Sequence, residues 1–141
     1  MTKPLLSALI LVLGLGIGGA GALATSLVMA DQHAQARKAT LFVPTGPIIA
    51  PLVFADGRLS AYVTFEAQIE VSSDQADAVR QQLPLLLDAV NMRTYRTPMA
   101  SGPDGLVPGV DAFRRVLLEA AIQTFGREAV RRAVVTRATP V

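Results

Sequence analysis

The chain contains no cysteine and no tryptophan, and His33 is its only histidine. Without cysteine there can be no disulfide, no thiolate metal site and no thiol nucleophile. A single histidine outside the C-terminal region leaves that region without a serine–histidine–aspartate triad or a histidine-based metal centre. Acid–base chemistry would fall to carboxylates, and these are scattered. Asp74 and Asp77 sit three apart at a predicted helix start, where acidic side chains complement the helix dipole. The composition therefore predicts a protein that is not an enzyme and carries no cofactor. Aromatic residues make up only 5% of the chain, and the net charge is +2. No basic tract is interleaved with aromatics, which argues against a nucleic-acid partner.

Charge is also missing locally. Pro4 to Ala30 has no charged residue at all. As a helix, at about 1.5 Å per residue, this run would reach roughly 40 Å. A bilayer core of about 30 Å needs around 20 apolar residues to cross. The predicted organisation is a short cytoplasmic tail (1–3), a transmembrane helix (4–30), a polar tether (31–39) and a periplasmic domain (40–141). Lys3 precedes the run while Arg37 and Lys38 follow it, so charge balance alone does not orient it. The very short N-terminal tail, followed by a folded domain, favours N-in, C-out. Ala22-Leu23-Ala24 and Val28-Met29-Ala30 also fit signal-peptide cleavage sites. Cleavage there would release a periplasmic binding module instead of an anchored one; the apolar residues Leu27, Val28 and Met29 beyond the first site favour the anchor. Gly14 and Gly18, continued at the same spacing by Ala22, form a stripe of small residues. On a membrane helix such a stripe permits close helix packing and a homo-oligomer.

Beyond the tether, Thr40 to Val43 predicts a short strand stopped by Pro44, with a turn at Thr45-Gly46-Pro47. Ile48 to Phe54 contains Pro51 and can be no more than an edge strand. Asp56-Gly57 is a hairpin signal. Ala61 to Val71 alternates strictly between apolar and polar residues, the pattern of a long strand with one buried face, leaving Glu66 and Glu70 on the wet face. Ser72 and Gln75 have capping-box spacing. Ala76, Val79, Leu83, Leu86, Leu87 and Val90 then mark a helix that Pro84 should kink or divide. From Asn91 the chain leaves this helix, with Tyr95 predicted to dock. Turns at Ser101–Gly105 and Pro108-Gly109 lead to a second helix, with Asp111 at its cap, Phe113, Val116, Leu117, Ala120 and Ala121 on its apolar face, and Gly126 as its stop. Val130 to Ala138 is a final strand returning to the long one. The predicted class is α+β, with helices packed on an antiparallel sheet.

This layout resembles the FliL family of bacterial flagellar basal-body-associated proteins. The residues that carry the likeness are Phe42-Val43-Pro44, Tyr62 to Val71, Leu83 to Val90, and Phe113 to Phe125 before Val130 to Thr136. The resemblance implies a single-span inner-membrane protein whose periplasmic domain is similar to the stomatin/prohibitin fold. It implies self-association and partnership with the stator units that drive flagellar rotation; a role in another envelope complex is the alternative. Arg114 and Arg115, within an arginine-rich last third, are candidate contact residues for an acidic partner or lipid headgroups.

Overall fold

The computed structural model describes residues 39–141. The predicted span, its stripe Gly14, Gly18 and Ala22, and His33 lie outside the described residues. Among the described residues, no helix is long and apolar enough to cross a membrane.

The elements follow as β1 (Thr40–Val53), β2 (Leu59–Ser72), α1 (Ala76–Gln81), α2 (Leu83–Thr94), β3 (Ala100–Ser101), β4 (Val107–Pro108), α3 (Val110–Phe125) and β5 (Val130–Pro140). A three-stranded sheet has the order β1-β2-β5, with both pairings antiparallel; β3 and β4 form a separate small pair. The class is α+β, as the sequence predicts.

The alternation in β2 does what period two requires. Val63, Phe65, Ala67, Ile69 and Val71 are buried, while Thr64, Glu66, Gln68 and Glu70 keep contact with solvent. The helices cover only the apolar face. Val79 from α1, Leu86 and Val90 from α2, and Phe113, Leu117, Ala120 and Ala121 from α3 join it in one core. At its centre the rings of Phe65 and Phe113 stack, with centroids 3.9 Å apart and planes 8° from parallel.

β1 is an edge strand, as Pro51 requires, but it departs from the prediction at Pro44. It is one continuous strand running through Pro44, Pro47 and Pro51, and the predicted turn at Thr45-Gly46 is a bulge within it. The pairing passes from Pro44 opposite Gln68 to Gly46 opposite Ala67, leaving Thr45 unpaired. Gly46 takes a φ of 76°, and the buried Thr45 hydroxyl donates to the Ala67 carbonyl at 3.1 Å. The prolines are tolerated because of where their nitrogens point. The Tyr62 carbonyl accepts from Val141 on the β5 side, so Tyr62 turns its backbone groups away from β1. Pro51 lies opposite Tyr62, and Pro47 and Pro44 lie opposite Glu66 and Gln68 in the same phase. Each missing N–H therefore faces the outer edge, where no ladder bond is lost.

Pro84 divides the first helical stretch as expected. α1 ends at Gln81, and α2 starts at Leu83 with Pro84 in its first turn, where an N–H has no intrahelical acceptor. The predicted capping box does not form: Ser72 makes no side-chain cap bond, and its hydroxyl donates instead to the Glu128 carbonyl at 3.2 Å. That bond ties the end of β2 to the approach of β5. α2 continues past Asn91 to Thr94, because Val90 and Thr94 extend its buried face. Tyr95 does not dock and is 64% exposed. Gly109, not Asp111, holds the cap position of α3, and Gly126 ends that helix with a φ of 90°.

Candidate functional site

Arg114 and Arg115 project from the exposed side of α3, opposite the buried row of Phe113, Val116 and Leu117. Asp111, displaced from the cap into the first turn, pairs with Arg114 at 2.7 Å. The two arginines lie beside β5. Together with Leu118, Arg132 and Ala133 they line an open cleft of about 240 Å³ between the helix and the strand. Its lining is mainly apolar; Arg114 is held by Asp111 and Arg132 by Glu70, and Arg115 has no carboxylate partner among the described residues. Arg132 is visible in the sequence only as one of the arginines of the last third. Its place follows from register, since Arg132 faces Glu70 across the β2–β5 ladder.

On the open face of the sheet, Arg132 pairs with Glu70 and stands 5.9 Å from the centre of the Phe42 ring. Thr40 donates to the other Glu70 oxygen at 2.6 Å. Glu66 faces Arg137 in the same manner at 3.4 Å. The carboxylates predicted as simply exposed are thus held in cross-strand pairs, and the Glu70 side chain is only 14% exposed. The Thr40 hydroxyl, and after it the Arg132 guanidinium, hold the Glu70 carboxyl below its ordinary value of 4.5. A carboxyl depressed in the folded state stabilises the fold above its unfolded value and loses that contribution as pH falls through the folded one. Glu70→Gln is therefore expected to lower the urea midpoint at pH 7. The gap from wild type should stay constant down to about pH 5 and close below 4.5. A gap unchanged at pH 3 would remove the carboxylate from this role.

A second cleft, of about 570 Å³, lies between α2 and α3. Arg93 crosses it to Glu119 and Gln123 and ties the two helices together.

No protein-family model matches the chain, and no curated protein matches it. Among the described residues, no group of three or more histidine, cysteine, aspartate or glutamate side chains is placed to hold a metal ion. What the cleft offers is a small, mainly apolar surface beside Arg115, next to a strand whose outer edge is unpaired among the described residues. Those features suit recognition of carboxylates and extended backbone.

Proposed function

We propose that the protein is a non-catalytic, membrane-anchored accessory of the bacterial flagellar basal body. It would be held in the inner membrane by its N-terminal apolar run, with the described domain on the periplasmic side, where it associates with stator units and modulates motor output. The observation that supports this reading most is the order and pairing of elements. The long alternating strand β2, the leucine cluster of α2, then α3 and a last strand stand in the order on which the resemblance to FliL proteins rests, although Phe42-Val43-Pro44 lies inside a continuous β1 and does not end it. The stomatin/prohibitin-like character of the domain belongs to the same reading. β1 begins at Thr40, and the apolar run ends at Ala30.

Crosslinking in motile cells, followed by detergent purification of the full-length chain, tests the reading. Stator or basal-body proteins are expected among the crosslinked partners. Recovery of an unrelated envelope complex in their place would overturn the flagellar role.

A further inference from the structure

The two edges of the sheet are not equivalent. On β1 the outward phase is occupied by Phe42, Pro44, Pro47, Ile49 and Pro51, opposite Glu70, Gln68, Glu66, Thr64 and Tyr62. Only Phe42 and Ile49 in that row have an N–H to give. Prolines along an edge are a standard block to strand addition. On β5 the phase is fixed by the bond from the Val141 nitrogen to the Tyr62 carbonyl. Thr139, Arg137, Val134 and Arg132, paired with Thr64, Glu66, Gln68 and Glu70, turn their backbone groups inward to β2. Ala133, Val135, Ala138 and Pro140 turn theirs outward. Pro140, which lacks an N–H, falls in the outward phase, as it should. None of the other three donates or accepts a backbone bond outside the sheet among the described residues; Ala133 is buried, so the accessible part of this edge runs over Val135 and Ala138.

A strand with free donors and acceptors binds another strand, and the charge beside it says which kind. β5 contains Arg131, Arg132 and Arg137 and no acidic residue. Arg114, which is paired with Asp111, and Arg115 stand over the same edge from α3. Arg115 and Arg131 have no carboxylate partner among the described residues. Every basic residue of 39–141 is arginine, the side chain whose planar fork fits a carboxylate in two-pronged geometry. A second copy fits this edge poorly by either of its own edges. Its β5 would set arginine-rich strands side by side, and its β1 brings prolines where donors are needed.

We propose that the outer edge of β5, rimmed by Arg114 and Arg115, takes an extended acidic segment of a partner protein as a fourth strand of the sheet. This rests on the reading of the domain as a partner-binding accessory and names the surface and the chemistry of the partner.

The test uses full-length protein in neutral detergent and fluorescein-labelled nine-residue peptides. One peptide alternates threonine with glutamate, a second alternates threonine with lysine, and a third is the acidic peptide with proline at its central positions. Fluorescence anisotropy is expected to show the acidic peptide binding at least about tenfold more tightly than the other two, with affinity falling as salt rises. Val135→Pro removes an outward N–H without touching the ladder to β2, and Arg115→Glu reverses an exposed charge on α3. Each should weaken the acidic peptide at least tenfold. Equal binding of the acidic and basic peptides, or no binding of either, would overturn the proposal. So would retention of affinity by Val135→Pro, which would point to an anionic surface such as lipid headgroups in place of a strand. If Val135→Pro alters the circular dichroism spectrum, the decision passes to Arg115→Glu and the proline-bearing peptide. Loss of stator recovery in cells with peptide binding intact would remove the flagellar role alone. Absence of peptide binding with stator recovery intact would remove the β5 edge alone.

Discussion

Phe65→Ala and Phe113→Ala are each expected to destabilise the domain by about 3–5 kcal/mol, the cost of deleting a fully buried phenylalanine ring. Both side chains have no solvent exposure. Phe65 stands on the central strand and Phe113 in the first turns of α3, so their stacked rings are the contact by which α3 is fixed to the middle of the sheet. A domain of this size has a total stability of about 5–15 kcal/mol, so either variant removes a large fraction of it. At about 4–8 °C per kcal/mol, the melting temperature should fall by roughly 12 °C or more. The stacking itself adds about 0.5–1.5 kcal/mol beyond area burial, and the double variant should cost less than the two single ones together by at least that amount. Thermal and urea unfolding of the full-length chain in detergent, followed by circular dichroism, reads all three. A single variant that costs less than about 1 kcal/mol would show that the pair is not the centre of the core.

The parts of this fold legible in the sequence are those whose cause is local. Burial of one face of β2 dictates the alternation from Ala61 to Val71, and the apolar row from Phe113 to Ala121 dictates α3. Pro84 and Gly126 act through their own backbone limits. What escaped the sequence depends on residues far along the chain. A proline stops a strand only if its nitrogen faces a neighbour, and the side on which Pro44, Pro47 and Pro51 face is set by pairing with β2. Ser72 has the spacing of a capping residue, yet the Glu128 carbonyl competes for its hydroxyl from across the fold. The candidate site divides in the same way. Arg114 and Arg115 are visible as charges on the polar side of a helix. Arg132 joins them only through its register with Glu70, and the outer edge of β5 is unpaired, among the described residues, because β5 is the last strand of the three-stranded sheet.

Gly105→Ala is expected to cost about 2–5 kcal/mol, for two reasons that can be separated. Gly105 lies in the turn between β3 and β4 with a φ of 67°, and its N–H closes that turn on the Gly102 carbonyl at 3.2 Å. A left-handed conformation costs a non-glycine residue about 1–2 kcal/mol. An alanine Cβ would also drive into the Phe54 ring and approach the Ser60 hydroxyl to 2.8 Å. Overpacking of that kind adds about 1–3 kcal/mol. The absent side chain is thus what lets the small β3–β4 pair settle on the tip of the long hairpin, where Ser60 donates to the Asp104 carbonyl at 3.0 Å. Gly46 separates the two terms. Its φ is 76°, but nothing lies within 4 Å of the Cβ it would gain. Gly46→Ala should therefore cost only the backbone part. Equal losses for Gly46→Ala and Gly105→Ala in urea unfolding would dismiss the close approach of Phe54. The same close approach predicts rescue. Gly105→Ala introduced into a Phe54→Leu background, where the rigid ring is replaced by a side chain able to give way, should fall to the cost of Gly46→Ala.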